Sequence, residues 1–348
     1  MERKKVSLFG LLSVVLVLLV LSPAGAQVFK LKLADMSPSK SEVALGGQKW
    51  ASEVEKRTEG RVKIEQFWDA SLVSAMEQTD AVIKGNIDVT AYLSGYHPEM
   101  CPIPVLASFP LLSPGNLKVS IFAVDEWVRT DPGVIAELKK NNVKYLYPFN
   151  NMNQYLWTKK PIKGLSDLKG IRLRTTGPFL TLFKNLGCSL VNVPMPEVYD
   201  TLERGVVDGT TQYLSIGVGL RLSEVVKNVN ITNLGDNLAC PIVMNINTWN
   251  RLPGDIQKII DQVNVEMVDA IANISTTRKN ECMEILKSSR VSLTEFSPND
   301  VDQMKEIASK NVWEPYIKSV DKKGIACTEA FQHYLKLLEK YSKMFPSK

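Results

Sequence analysis

The chain is poor in the residues that most catalytic and metal sites require. Its 348 residues include only two histidines, His97 and His333, which lie far apart in the sequence. A metal site or a Ser-His-Asp triad therefore has little to build from. There is no G-x-S-x-G and no G-x-x-x-x-G-K-[ST], and the glycines at Gly217 and Gly219 lack the third member of a dinucleotide fingerprint. We therefore expect a protein that is not an enzyme and that has neither a cofactor nor a metal site.

Cysteine is also sparse and widely spaced. The five cysteines are Cys101, Cys188, Cys240, Cys282 and Cys327. Since no two are closer than 42 residues, a C-x-x-C redox or zinc motif is excluded. One or two disulfides would be compatible with an oxidising compartment, but sequence alone pairs none of them. We favour buried thiols that pack as small apolar side chains.

One long apolar run occurs, and it lies at the N-terminus. Three of the first five residues are basic, residues 11–21 are apolar except for one serine, and Ala24-Gly25-Ala26 supplies the small residues of a cleavage site. This order predicts a secretory signal peptide over residues 1–26, cleaved near Ala26. Retention as a membrane anchor is the alternative, disfavoured because a span needs about 20 apolar residues. We expect a soluble, periplasmic mature protein that starts at Gln27.

The mature chain has little net charge. Removal of three basic residues and one acidic residue with the first 26 positions lowers the formal charge from +5 to +3. That balance gives no basic stripe, so nucleic acid is not an expected partner. The remaining 322 residues exceed the size of a typical single core, which predicts two domains.

Strand-like and helix-like segments alternate along the chain, which predicts an α/β protein. Alternating apolar residues predict strands over 29–33, 61–67, 87–93 and 142–149, and helical spacing predicts helices over 41–59, 75–84 and 117–140. Residues 101–115 carry four prolines and no charge, so they cannot form a regular helix. We expect that segment to be a buried connection or to line a cleft.

The C-terminal third is predicted to be helical. Apolar residues recur at helical spacing from Ile256 to Ile274, and no proline or glycine lies between Asp255 and Ser297. A helix of that length could bridge two domains, although we expect an internal break. Residues 299–341 are also predicted to be helical, with breaks near Pro315 and Gly324.

A short strand carries the strongest candidate for ligand recognition. Apolar and polar residues alternate from Ile171 to Thr176, and Gly177-Pro178 ends the strand. Arg174 would be held at the strand's end, where its planar guanidinium can meet a carboxylate with two parallel hydrogen bonds. The alternative is an ordinary surface arginine, which this segment alone favours.

Five segments in order resemble the substrate-binding proteins of tripartite ATP-independent periplasmic (TRAP) transporters, the DctP-like family, over nearly all of the mature sequence. They are residues 29–67, SFPLLSP at 108–114, KKPIKGLSDLKGIRLRTTG at 159–177, MPEVYDTLERGVVDG at 195–209 and MNINTWNRLP at 244–253. The resemblance implies an α/β, two-domain periplasmic binding protein fold with crossing strands, a central ligand cleft and a long helix spanning both domains. Residues 27–151 with about 240–275 would form domain I, residues 152–239 with about 276–320 domain II, and about 321–348 a C-terminal helical segment.

The resemblance also implies a set of ligand-binding residues. The arginine of the family's DLKG-x-x-x-R strand pairs with the ligand carboxylate, and here it is Arg174. Gln154 stands where relatives often carry a second arginine. Gln212 stands after the VDG signature, at a position where relatives commonly carry a side-chain amide. Apolar and aromatic contacts are expected from Tyr213, Leu93, Tyr96, Met195, Trp68 and also Trp157, although core packing is the alternative for each aromatic residue.

These residues lead to a prediction of function. With a single cleft arginine, a second carboxylate would be buried without a partner, which is costly. A monocarboxylate, aromatic or branched, is therefore favoured over a dicarboxylate, unless backbone amides or Arg172 bind the second group. The predicted protein captures this ligand by domain closure and delivers it to TRAP-type membrane subunits. A ligand-sensing protein that presents an organic acid to a membrane receptor or kinase is the alternative. A secreted enzyme is disfavoured because no nucleophile–base pair is visible.

Overall fold

The computed structural model describes residues 27–149, 152–236 and 240–346. The predicted signal peptide and its cleavage site near Ala26 lie outside the described residues. Within them, no helix is both long enough and apolar enough to cross a membrane.

The described residues form two β-sheets with helices around them. The strands are β1 (Phe29–Ala34), β2 (Val62–Phe67), β3 (Val89–Ala91), β4 (Val143–Tyr147), β5 (Gln154–Thr158), β6 (Arg172–Arg174), β7 (Ser189–Val191), β8 (Gly209–Tyr213), β9 (Asn228–Asn230), β10 (Ile242–Asn245) and β11 (Ser292–Thr294). The helices are α1 (Glu42–Arg57), α2 (Gln78–Lys84), α3 (Leu117–Thr130), α4 (Pro132–Lys140), α5 (Phe179–Asn185), α6 (Val198–Glu203), α7 (Leu214–Gly219), α8 (Ile246–Arg251), α9 (Gly254–Ser288), α10 (Pro298–Ala308), α11 (Glu314–Asp321) and α12 (Cys327–Met344).

The chain passes back and forth between the two sheets. The first sheet has the order β2-β1-β3-β10-β4, and the second has the order β11-β9-β5-β8-β6-β7. Strand β10 therefore returns to the first sheet after five strands of the second, where it pairs antiparallel with β3 and β4. Each sheet with its helices is called a unit below. The domain bounds inferred from the sequence stay a prediction.

Helix α1 shows how the sequence fixes the first unit. The Ser41 hydroxyl caps the helix by accepting a hydrogen bond from the Ala44 amide at 3.2 Å. Trp50 is fully buried, and its indole Nε1 donates to Asn264 Oδ1 on α9 at 2.8 Å. A large apolar side chain with one satisfied polar atom thus joins α1 to the long helix.

Helix α9 differs from its prediction in one respect. It runs for 35 residues without a break, packs against α1, α3 and β4 of the first unit, and also packs against α7 of the second. The expected internal break is wrong because buried residues recur at helical spacing from Ile256 to Leu286, with no proline or glycine between them. The chain leaves the helix at Ser289 and forms β11, which the sequence pattern did not predict.

The C-terminal helices are interrupted near both predicted positions. Gly324, with φ of +77°, lies between α11 and α12, where only a residue tolerant of left-handed backbone fits well. The regular α-helix is also interrupted near Pro315. A π-helical turn over Ser309–Trp313 separates α10 from α11, and Pro315 follows it in the first turn of α11.

Two further predictions concern buried segments. The proline-rich stretch forms a short 3₁₀ helix at Pro104–Ser108, and all five residues of that helix are buried, as expected for a buried connection that cannot be a regular α-helix.

All five cysteines are buried, and Cys101, Cys188, Cys282 and Cys327 form no disulfide. The prediction of buried thiols is confirmed for those four.

Asp131 caps the N-terminus of helix α4, and its substitution tests that role. Its Oδ1 accepts hydrogen bonds from the amides of Gly133 and Val134 at 3.0 and 3.1 Å, and its Oδ2 lies 2.9 Å from His333 Nδ1 on α12. Asp131→Ala is expected to lower the free energy of unfolding by about 1–2 kcal/mol because two amides lose their acceptor. Urea denaturation would measure it. Asp131→Asn keeps the cap and should lose less than half as much; equal losses would contradict a capping role.

Candidate functional site

A cavity of about 400 Å³ lies between the two units. Leu93 and Phe149, which follow β3 and β4, line it from the first unit. Gln154 at the start of β5 and Arg174 at the end of β6 line it from the second. Small-molecule sites commonly have volumes of about 300–1,000 Å³, so this cavity could hold a small organic ligand.

Most of the residues selected from the sequence meet at this cavity. Those that line it are Arg174, Gln154, Gln212, Tyr213, Leu93, Tyr96 and Met195. Trp68 does not line it. Its ring lies against the backbone at Gly47, and it borders a separate, narrow cavity beside Asp35. Trp157 is also absent from the lining and is fully buried in β5. Direct ligand contact by the seven remains a prediction.

Arg174 is held by its backbone and by one carbonyl. It is 6% exposed, and its Nε donates to the Val193 carbonyl at 3.0 Å. Among the described residues, no acceptor lies within hydrogen-bonding distance of its two terminal nitrogens, and no carboxylate pairs with it. Because Nε is occupied, an incoming carboxylate would have to meet the edge formed by the two terminal nitrogens.

The electrostatic state of Arg174 follows from its burial. Burial lowers the pKa of its guanidinium, while Tyr96 and Tyr213 act weakly in the opposite direction. A buried cation without an anionic partner is unfavourable, and a ligand carboxylate would supply that partner. Arg174 is also the only charged side chain among the described residues that line the cavity. The site is therefore suited to one negative charge.

Arg172, two residues earlier on the same strand, has a different environment. It is exposed, and it binds Asp208 through two hydrogen bonds, Nε to Oδ2 at 3.0 Å and Nη2 to Oδ1 at 2.6 Å. It does not line the cavity. In this arrangement Arg172 is therefore not available to a second ligand carboxylate, because it lies outside the cavity lining and Asp208 neutralises it.

A chain of neutral polar groups lies beside the arginine. Gln154 Nε2 lies 3.0 Å from Thr211 Oγ1, which in turn lies 2.6 Å from Thr175 Oγ1, next to Arg174 in sequence. The Gln212 side chain accepts a hydrogen bond from the Tyr213 amide through Oε1 at 3.1 Å. These groups fix the wall around Arg174 without adding charge.

The sequence reasoning missed much of the apolar wall. Phe149, Phe179, Leu180, Met36 and Ile216 also line the cavity. Phe179 directly follows the Gly177-Pro178 turn that ends the arginine strand, which was a usable signal. Leu180 is its neighbour, whereas Met36, Phe149 and Ile216 come from three separate segments that no periodicity brings together. In the described residues, no cluster of three or more His, Cys, Asp or Glu side chains could hold a metal ion.

Comparisons with known proteins agree on one kind of protein. A family model described as bacterial extracellular solute-binding protein, family 7, matches residues 33–319. The monocarboxylate 2-oxoacid-binding periplasmic protein of Nostoc sp. is 25% identical over 295 residues, which are 82% of this chain and 79% of that protein. The C4-dicarboxylate-binding periplasmic protein of Rhodobacter capsulatus is 24% identical over 286 residues, 79% of this chain and 81% of that protein.

A solved structure has the same fold. The crystal structure of a TRAP periplasmic solute binding protein from Desulfovibrio salexigens aligns with a TM-score of 0.81 and 23% sequence identity. The alignment covers 92% of this chain and 98% of that one. Both sheets and their helices therefore belong to a fold already seen in binding proteins.

Proposed function

Since the chain belongs to the bacterial extracellular solute-binding proteins of family 7, we propose that it captures a small organic monocarboxylate at Arg174 by domain closure. In this proposal residues 1–26 are removed on export to the periplasm, and the ligand is delivered to TRAP-type membrane subunits. The predicted family and two-domain α/β fold are confirmed. Members of this family are periplasmic, non-enzymatic proteins that bind small organic acids and work with membrane transporter components.

The observation that carries the proposal is the unpaired edge of Arg174. Two terminal nitrogens of a buried guanidinium are left without an acceptor among the described residues, and they belong to a residue that lines the cavity. A carboxylate can form two parallel, charge-assisted hydrogen bonds with that edge. The same contact would compensate the burial of the cation.

The proposed preference for one carboxylate rests on the remaining wall. Gln154, which lines the cavity, is neutral, and the described lining residues include no cation besides Arg174. A second ligand carboxylate would be desolvated without a counter-charge, which costs several kcal/mol. The Nostoc relative, named for monocarboxylate 2-oxoacids, is in line with this preference, whereas the Rhodobacter relative, named for C4-dicarboxylates, is not. Both ligand classes must therefore be compared.

The proposed shape of the ligand follows from the apolar side chains. Leu93, Phe149 and Phe179 are buried in the cavity wall, and Tyr96 and Tyr213 add aromatic rings. An aromatic or branched apolar group is stabilised by burial against such surfaces. We therefore propose an aromatic or branched-chain monocarboxylate.

Calorimetry on protein freed of bound ligand tests this specificity. Benzoate and 4-methyl-2-oxopentanoate are expected to bind roughly tenfold or more tightly than succinate and malate, because the second charge has no partner. Mass spectrometry of ligand co-purified with the native protein provides an independent identification. Tighter binding of succinate or malate would overturn the monocarboxylate preference and leave the family assignment intact.

A further inference from the structure

A buried carboxylate outside the lining of the ligand cavity joins the two units. Glu42, the first residue of α1, is 1% exposed. Its Oε1 accepts a hydrogen bond from Ser215 Oγ at 2.8 Å. Helix α1 packs on β2 of the first sheet, whereas Ser215 lies on α7, which follows β8 of the second. This hydrogen bond therefore crosses the junction between the units.

The second oxygen of Glu42 and one nitrogen on α9 are left unsatisfied. Glu42 Oε2 and Arg278 Nε are both buried and have no hydrogen-bond partner in the described part of the chain. Arg278 is bound through Nη1 to Glu281 on its own helix. Burial raises the pKa of the Glu42 carboxyl, and the Ser215 hydroxyl, nearby backbone amides and the charge of Arg278 act in the opposite direction. Buried polar groups without partners are costly, and these two have complementary charges. A small shift at the junction that paired them would be favourable.

The junction is one side chain away from the ligand cavity. Phe149 lines both that cavity and a small cavity of about 10 Å³ that also borders Glu42 and Ile271 of α9. At the rim of the ligand cavity, Tyr96 and Leu180 from the two units are 45% and 39% exposed. The ligand cavity thus reaches solvent while the Glu42–Ser215 bond is intact.

We propose that Glu42 is a positioning residue that sets the balance between the open and closed arrangements of the two units. In the open arrangement its carboxylate binds Ser215. On closure it leaves Ser215 and pairs with Arg278. This inference rests on the proposed capture of an organic acid by domain closure. The Ser215 bond keeps the empty protein open to ligand, and the Arg278 pair stabilises the closed state, so the observed affinity depends on both.

Two substitutions are expected to change affinity in opposite directions. Ser215→Ala removes the contact of the open state and should tighten binding of benzoate, or of the tightest ligand found by calorimetry, by roughly three- to tenfold. Arg278→Gln removes the cation that Glu42 meets in the closed state and should weaken ligand binding by a similar factor. Glu42→Gln keeps an acceptor for Ser215 but loses the charge that pairs with Arg278, so it should weaken binding to the same degree. A merely structural role would leave affinity unchanged or move it in one direction, and either result would overturn the proposal.

A control and a ligand-free measurement separate this inference from the proposed function. Ser41→Ala removes the cap of the same helix and should lower thermal stability without changing affinity. Small-angle scattering without ligand should show Ser215→Ala more compact than the unsubstituted protein; equal dimensions would overturn the role of Glu42. Failure of the unsubstituted protein to bind any organic acid would instead overturn the proposed function, whatever the scattering shows.

Discussion

Arg174→Ala is expected to weaken monocarboxylate binding by roughly 30- to 5,000-fold, on the order of 2–5 kcal/mol. The substitution removes both terminal nitrogens that would meet the ligand's carboxylate. It leaves that carboxylate in a cavity whose other described lining residues are uncharged. The affinity of Arg174→Lys should lie between those of the unsubstituted protein and Arg174→Ala, since an ammonium keeps the charge but cannot form the planar two-bond contact. Isothermal titration calorimetry with the same ligand measures all three proteins.

Arg172→Ala is the matched control for this prediction. Arg172 lies on the same strand but is exposed and bound to Asp208, outside the cavity. An exposed ion pair contributes roughly 0–1 kcal/mol to stability, so this variant should fold and bind within about twofold of the unsubstituted protein. If Arg174→Ala also bound within a few-fold, the carboxylate would be held elsewhere. An equal loss in both variants would point to damage to the strand.

Trp157→Ala is expected to lower the free energy of unfolding by about 3–5 kcal/mol. The ring is fully buried in β5, between β8 and β9, and its Nε1 donates to the Gln212 carbonyl at 3.1 Å. It packs so closely on α7 that a Cβ added at Gly217 would lie 2.3 Å from a ring carbon. Removal leaves a large cavity beneath the strands that carry Gln154 and Gln212. Urea denaturation measures the loss.

Trp157→Phe separates packing from ligand contact. Phenylalanine retains most of the buried ring but leaves the Gln212 carbonyl without its donor, so stability should fall by less than in Trp157→Ala. Affinity should remain within a few-fold, because Trp157 does not line the cavity. A variant with unchanged stability and much weaker binding would show that the ring contacts the ligand after all.

The sequence predicted those features that depend on local periodicity. Alternation from Ile171 to Thr176 predicts one strand face that carries Arg172 and Arg174 and an opposite face that carries Leu173, and the structure has this segment in β6 with Leu173 buried. The first strand, the helix α1 and the great length of α9 follow from spacing in the same way. The family resemblance then provided what spacing could not, namely which arginine lies beside a cavity.

Features that depend on turns and on distant segments were not predictable in this way. Trp68 ends up away from the cavity because the chain turns sharply after β2, with left-handed backbone at Asp69 and Ala70 (φ of +58° and +54°), and no strand or helix pattern sets the direction of a residue there. Phe149, which follows β4, and Phe179, the first residue of α5, belong to different units and meet only in the folded protein. Their shared cavity is a property of the topology.

The unbroken α9 has a mechanical consequence. A 35-residue helix is about 52 Å long, and it is in contact with elements of both units. Such a rod resists stretching and shortening, so the units cannot separate along its length. The remaining freedom is a bend or rotation about the rod, with small displacements near Ile271 and larger ones at the distant rim beside Tyr96 and Leu180. Variants that shorten or kink this rod should therefore alter the rate of ligand entry and release before they alter which ligand is bound.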